Sequence, residues 1–300
     1  MINKRYLGNA MLLLAAIIWG SAFVAQRDGM AYVGPFTFQA VRSFLGSLFL
    51  LPIILFSDKF KKKSNTYKKT DTKSLIIGGM LCGAALTVAA CFQQVGILYT
   101  TVGKAGFLTA LYVIMVPVVS VFFRKKVSPV IWLCVVLAVV GLYLLCMTES
   151  LRLSLGDSLV LICAVCFTAH IMIIDHFVLK VDGVKLACLQ FFVSGILSCV
   201  LMFAFEEPNI SAILSAWLPI AYTGILSSGI AYTLQIVAQK HTQPTMASLI
   251  MSLESVFAVL TAMILPPHEM LSTREVLGCI IMFVAIVLAQ IPFEKGKKSQ

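Results

Sequence analysis

Residues 89–119, AACFQQVGILYTTVGKAGFLTALYVIMVPVV, read as an apolar helical hairpin. A degraded copy returns at 230–260, IAYTLQIVAQKHTQPTMASLIMSLESVFAVL. At a shift of 141 residues Gln94 falls on Gln235, Thr101 on Thr242, Gly106 on Ala247 and Leu108 on Leu249. Self-similarity at a fixed offset is the mark that duplication leaves in a chain. Further matches flank the hairpin: Gly8 with Gly156 at 148, Gln39 with Gln190 at 151 and Ser128 with Ser272 at 144. A drift of a few residues is what insertions in the links produce.

Composition sets the class of the protein that is duplicated. The 300-residue chain is 60% hydrophobic and 12% charged, with a mean hydropathy of +0.97. A soluble domain carries about a quarter charged residues. The apolar runs repeatedly reach about 20 residues, the length that crosses a bilayer core, so a soluble helical protein with a large core is excluded. The expected fold is an all-α integral membrane protein. Its ten candidate spans lie at 7–26, 34–56, 74–98, 103–123, 129–147, 158–175, 184–205, 213–235, 244–265 and 275–292. Pro35, Pro129, Pro208, Pro244 and the Pro266-Pro267 pair stand at or near span ends, whereas Pro52, Pro117 and Pro219 fall inside spans and should bend them. No cleavable signal peptide is evident: the first span is too long for a signal core and lacks a small-residue cleavage site, so it is expected to stay.

The basic residues orient the bundle. With the amino terminus inside, 18 of the 23 Lys and Arg residues fall on the inner side, concentrated at 59–73, 124–126 and 295–298. Arg27, Lys104, Arg152 and Arg274 fall outside, and Arg42 alone lies within a span. This asymmetry predicts that both termini are cytoplasmic. It also accounts for the net charge of +10 without nucleic-acid binding, since the lysine-rich link between spans two and three lacks interleaved aromatics. Two units of five spans each follow, 7–147 and 156–292, with tails at 1–6 and 293–300. Because five is odd, the second unit enters from the opposite side. The result is an inverted repeat, the plan of many secondary transporters, with the substrate site near the midplane.

Short strings sharpen this plan. Trp19-Gly20-Ser21-Ala22-Phe23 stands in the first span, Arg42 in the second, and Tyr99-Thr100-Thr101, Ala105 to Tyr112 and Pro117 in the hairpin. Leu253-Glu254-Ser255-Val256-Phe257-Ala258 stands in its copy. Together with span count and duplication, these strings resemble the EamA-type transporters of the drug/metabolite transporter superfamily over roughly 8–292. The resemblance implies secondary transport of small metabolites, with amino acids or related compounds favoured. Drug-like or vitamin- and nucleobase-type compounds are the alternative. Export is the commoner direction in the family, and some relatives resemble importers. Three departures stand out. Ser255 replaces a frequent proline, so a bend in span nine should be weaker; Phe167-Thr168-Ala169-His170 replaces a frequent Trp-Ala in span six; and His268-Glu269 stands near the place of a common Gly-Glu.

Depth selects the candidate site. At about 1.5 Å per residue, Trp19 and His170 lie roughly 18 Å, Glu254 roughly 15 Å and Arg42 roughly 12 Å into their spans. Ionisable groups at such depth usually face a cavity or a partner. Arg42 and Glu254 either form a structural ion pair joining the halves or meet substrate, and a mid-depth carboxyl such as Glu254 is also a candidate for proton coupling. An arginine can hold a carboxylate through two parallel bonds and a glutamate can hold an amine, which suits a zwitterion. His170 reads as a packing residue or a substrate contact. Gln39, Tyr112 and Tyr232 complete the candidate cavity set. The small residues Gly83, Gly106, Gly224, Ser228 and Ser252 read as packing or cavity-lining positions.

Other chemistries find no support in the chain. There is no phosphate loop for ATP, and the four histidines are dispersed. The nine cysteines fall in spans, and Cys163 and Cys166 have no second pair. No cofactor or metal is expected, and an intramembrane enzyme or a channel is the rival class. The expected partners are a small-molecule substrate, the lipid bilayer and, for coupling, protons. The expected location is the cell membrane, bacterial inner membrane by type. A monomer is compatible with the sequence, which leaves oligomeric state open.

Overall fold

The computed structural model describes residues 4–63, 71–146, 154–264 and 272–290, and every regular element among them is helical. In chain order these are α1 (Lys4–Gly29), α2 (Pro35–Lys63), α3 (Thr72–Leu98), α4 (Val102–Ala110), α5 (Tyr112–Phe122), α6 (Pro129–Cys146), α7 (Leu155–Phe177) and α8 (Gly183–Phe205). Two short helices follow, α9 (Ile210–Ser215) and α10 (Trp217–Ala221), then a π-helical stretch, Tyr222–Ala231, running into α11 (Tyr232–Ala238). The chain closes with α12 (Pro244–Met251), α13 (Glu254–Ile264) and α14 (Thr273–Gln290).

Among the described residues, eight helical stretches are long and apolar enough to cross a membrane. They cover 4–29, 35–60, 72–98, 102–122, 155–177, 183–205, 217–238 and 244–261, with a shorter apolar helix at Pro129–Leu145. The protein is therefore an all-α multi-pass membrane protein with about eight such helices, against ten expected. The remaining two expected spans, 129–147 and 275–292, run past the described residues, and their described parts are α6 and α14, which pack along each other. The expected tails, apart from residues 4–6, and His268-Glu269 also lie outside the described residues.

Helix ends are set by side chains that answer the free N–H groups of a first turn. Asp71 starts α3, Thr101 starts α4 and Asp182 starts α8. Ser154 and Asp157 form a reciprocal capping box on α7. The Ser74 hydroxyl holds the exposed Asp71 carboxyl below its ordinary range. At the far end of α8, Glu206 accepts from the Phe36 and Thr37 backbone N–H groups at 2.8 Å each and from the Thr37 hydroxyl at 2.6 Å, so it caps α2 from across the bundle.

The packing follows small residues. α3 lies against α7 and α8, α2 against α8 and the π-helical stretch, and α1 against α13. At Gly20 a Cβ would stand 2.5 Å from the Phe257 Cβ and 2.6 Å from the Glu254 carbonyl oxygen, so only glycine lets α1 and α13 meet this closely. In lipid, where no hydrophobic drive brings helices together, such close approach supplies the dispersion energy.

Two spans are broken in mid-course. α4 gives way to α5 at Leu111, and α12 gives way to α13 at Ser252-Leu253. The second break occurs with no proline at Ser255. Tightened three-residue bonds replace the helical ladder there: Leu253 N–H donates to Ile250 O at 3.2 Å and Ser255 N–H to Ser252 O at 3.3 Å. The chain is also widened at 222–231, just after Pro219, whose carbonyl accepts the Thr223 hydroxyl at 2.7 Å. π-helical turns of this kind recur at functional sites.

Basic residues gather at one end of the bundle. There Lys125 pairs with Asp175, Lys185 meets Asp58 at 2.7 Å, and Lys240 donates to Val181 O at 3.1 Å. The other end carries Lys104 on Asp157 at 3.2 Å and Glu206 on α2.

Candidate functional site

A cavity lies mid-bundle where α1, α2, α5, α7, α11 and the start of α13 converge. It offers about 40 Å³, room for a few waters at roughly 10–15 Å³ each on the same measure. A metabolite needs the walls to move apart. The cavity as it stands is a contracted one.

One wall is built around Arg42. α2 carries it with 4% of its surface exposed. Its Nε donates to Gln39 Oε1 at 2.6 Å, one turn back on the same helix, and an Nη donates to Gln26 Oε1 at 3.2 Å on α1. Its guanidinium carbon stands 5.9 Å from the centre of the Phe38 ring. Among the described residues it has no carboxylate within ion-pair distance. Neutral amides hold a buried cation here and leave its charge unanswered, and a buried charge is tolerable only when paired or richly hydrogen-bonded.

The facing wall carries the acid. Glu254 opens α13 immediately after the break, where the free N–H groups of a helix start favour a carboxylate. It is 5% exposed, and its Oε1 accepts from the Tyr112 hydroxyl at 3.0 Å. Tyr112 in turn opens α5 immediately after the other break. The two interrupted hairpins therefore meet at their breaks through this bond. Val113, which aligns with Glu254, is fully buried in the apolar core. Arg42 and Glu254 line the same cavity and do not pair, so the structural ion-pair reading is not what the geometry contains.

Aromatic rings close the space between them. Tyr232, at the first turn after the π-helical stretch, sits edge-on to Trp19 at 4.7 Å between ring centres, to Phe191 at 5.3 Å and to His170 at 5.9 Å. His170 Nε2 pairs with Gln190 Oε1 at 3.1 Å. Three polar atoms at the cavity have no partner among the described residues: Trp19 Nε1, His170 Nδ1 and Gln235 Oε1. They supply a donor, an acceptor in the Nε2-protonated tautomer, and a second acceptor.

Of the residues singled out by sequence, Trp19, Arg42, Tyr112, His170, Tyr232 and Glu254 line this cavity. Gln39 stands one layer behind and holds Arg42. The small residues lie at helix contacts: Gly83 against Val193, Gly224 against Leu45, Ser228 against Gly46, and Gly106 beneath Ser255, whose hydroxyl donates to its carbonyl at 2.9 Å. Ser252 turns its hydroxyl onto Leu249 O at 2.8 Å. Sequence reading missed Gln26, Gln93, Thr109 and Ser227, which also line the cavity. Gln26 offered one signal, an amide near the end of a span. Gln93 was hidden by its neighbour Gln94, which matched the repeat yet sits fully buried with its amide unpartnered. Among the described residues no group of His, Cys, Asp and Glu is placed to hold a metal ion.

Comparison with known proteins follows the same lines as the geometry. The family described as EamA-like transporter matches at 6–147 and again at 154–290. An "Uncharacterized transporter" of Archaeoglobus fulgidus is 31% identical over 294 residues, covering 96% of this chain and 87% of that protein. The "Uncharacterized transporter YoaV" of Bacillus subtilis is 23% identical over 292 residues, covering 95% and 97%. A solved crystal structure superposes with a TM-score of 0.74, covering 94% of this chain and 96% of its own. At 16% identity that likeness is one of fold.

Proposed function

The chain belongs to the EamA-like transporter family and is a multi-pass secondary transporter of small molecules rather than an enzyme, and from that premise we propose that its cargo is a small zwitterion, an amino acid or a related compound, moved by alternating access. The observation that carries this reading is the pair of unmatched charges. Arg42 faces the cavity with only amides for company, and Glu254 faces it with only a phenol. A zwitterion answers both, its carboxylate on the guanidinium and its ammonium on the carboxylate. A neutral drug-like or nucleobase cargo answers neither.

The exchange of states rests on an inverted repeat, five spans at 7–147 and five at 156–292, both termini cytoplasmic and the basic end of the bundle facing the cytoplasm of a bacterial inner membrane. Paired contacts support it. Gly8 and its match Gly156 each meet the turn of the other unit's hairpin, near Ala238 and Thr242 in one case and Gly96 and Tyr99 in the other. At the same two places the Thr242 hydroxyl donates to Asn9 Oδ1 at 3.2 Å, and the Thr100 hydroxyl donates to Asp157 Oδ1 at 2.6 Å. The two mid-span breaks, at 111 and 252, differ by the 141-residue shift of the hairpins.

The test is thermal unfolding of purified protein against amino acids, each beside its decarboxylated and deaminated analogue. Stabilisation by the zwitterion alone, lost in Arg42→Gln, is expected. Equal stabilisation by the bare amine would show that no carboxylate is being read, and the reading would fall.

A further inference from the structure

A second and larger space lies outside the transport cavity. α7 separates the two: Phe167, His170 and Ile171 face the cavity, while Val165, Ala169 and Met172 form the floor of a groove of about 1120 Å³ on the opposite face. Leu81 of α3 walls one side, and Val118 of α5 and Phe123 just past its end wall the other. The one hydroxyl on the floor, Thr168, is turned onto Ala164 O at 2.9 Å, so the interior presents hydrocarbon. At two corresponding positions of α1 a neighbour stands instead, Phe257 against Gly20 and Tyr222, whose hydroxyl bonds to Ser21.

The groove changes character only at its basic end. Lys125, Asp175 and His176 form its rim, with Lys125 paired to Asp175 and Lys180 Nζ 2.9 Å from His176 Nε2. Arg124 and Lys126 flank Lys125 on the α5–α6 link and are exposed, with no carboxylate partner among the described residues. From Val165 to His176 the floor helix rises about 16 Å at 1.5 Å per residue, close to half of a hydrocarbon core of about 30 Å. The groove is therefore one leaflet deep, apolar along the chains and cationic at the headgroup level. We propose that it is a binding site for an anionic phospholipid of the inner leaflet, with an acyl chain along α7 and the phosphate at Arg124, Lys126 and the Lys180–His176 pair. Basic pockets between membrane helices on the cytoplasmic side recognise acidic headgroups in this way.

The test uses the full chain in non-ionic detergent, a phosphatidylglycerol with a photoactivatable diazirine in its acyl chain, and unlabelled phosphatidylglycerol or phosphatidylcholine of the same chains as competitor. Label is expected on peptides carrying Met115 and Met172, displaced by phosphatidylglycerol at about tenfold lower concentration than by phosphatidylcholine. Val118→Trp, which fills the groove from an exposed position, should abolish this label. Arg124→Gln with Lys126→Gln should keep the label and erase the preference for the anionic lipid. Both changes lie on surface positions, and an unaltered thermal transition identifies folded protein. Label spread over all lipid-facing helices, equal competition by phosphatidylcholine, survival of the label in Val118→Trp, or displacement by free amino acids would each overturn the proposal.

Discussion

Arg42 concentrates the chemistry of the cavity because its charge is held and not matched. Its Nε and Nη engage Gln39 and Gln26, which fixes the plane of the guanidinium and leaves its remaining donors for a ligand. Arg42→Lys keeps the charge and loses the fork, so half-saturation for a zwitterionic cargo should rise about tenfold, the equivalent of one charge-assisted hydrogen bond of about 1.5–3 kcal/mol at its lower end. Uptake kinetics in proteoliposomes measure this, and an unchanged half-saturation would place the carboxylate elsewhere. Glu254→Gln preserves an acceptor for the Tyr112 hydroxyl and removes the charge. If Glu254 carries the coupled proton, transport by this variant should lose its dependence on the proton gradient. Full retention of that dependence would remove Glu254 from coupling. At this scale Arg42 and Glu254 were legible because charge inside hydrocarbon needs a reason. Thr109 and Ser227 were not, since a hydroxyl on an apolar helix bonds to its own backbone as readily as it faces a cavity. Gln26 was placed at a span end because the apolar run stops there, whereas α1 continues to Gly29 and carries the amide inward.

Among the elements, the sharpest constraint is the crossing of α1 and α13. A Cβ on Gly20 would meet Phe257 Cβ, Glu254 O and Ala258 N within 2.7 Å, and two of these three atoms are backbone, which has nowhere to turn. Gly20→Ala should lower stability by about 1–3 kcal/mol, the usual cost of overpacking, and displace Glu254 along with it. Gly106→Ala is the control: its nearest atom is Ser255 Oγ at 3.6 Å, an ordinary contact, and the aligned position is already Ala247. Thermal unfolding in detergent should separate the two variants, and a Gly20→Ala protein as stable as the parent would contradict the packing argument. The elements also show where sequence reading stops. The long apolar runs and their breakers marked most helices to within a few residues, but the breaks at Leu111 and Ser252 fall at residues with no breaking chemistry of their own. Pro117 lies six residues past the first break, inside α5, and no proline accompanies the second. Tertiary contact between the hairpins, through Tyr112 and Glu254, supplies what local propensity does not. The widening at 222–231 is similar, since its glycines and serines read equally well as a plain packing stripe.

For the whole molecule, the two units differ at their matched turns. The contact at the basic end is neutral, Asn9 with Thr242, while at the other end Asp157 is bonded by Thr100 and Lys104. On the proposed orientation the ionic contact closes the outer side. Asp157→Asn makes it neutral like its counterpart and should raise the outward-open population several-fold, a shift of about 1 kcal/mol. The labelling rate of a cysteine at Thr109 by an impermeant thiol reagent added outside, in a background freed of native cysteines, reports that population; no increase would assign the contact a purely structural part. Polar landmarks such as Gln94 with Gln235 suggested a duplication, and the difference within one matched pair mattered more: Val113 is core, and Glu254 is cavity. The central claim is that a zwitterion bound between Arg42 and Glu254 is exchanged across the membrane. Counterflow in proteoliposomes tests it most directly, with unlabelled amino acid inside and trace labelled amino acid outside. The account predicts transient accumulation of label above equilibrium, saturable and lost in Arg42→Gln; label that merely equilibrates, at a rate indifferent to internal amino acid and to Arg42, would contradict it.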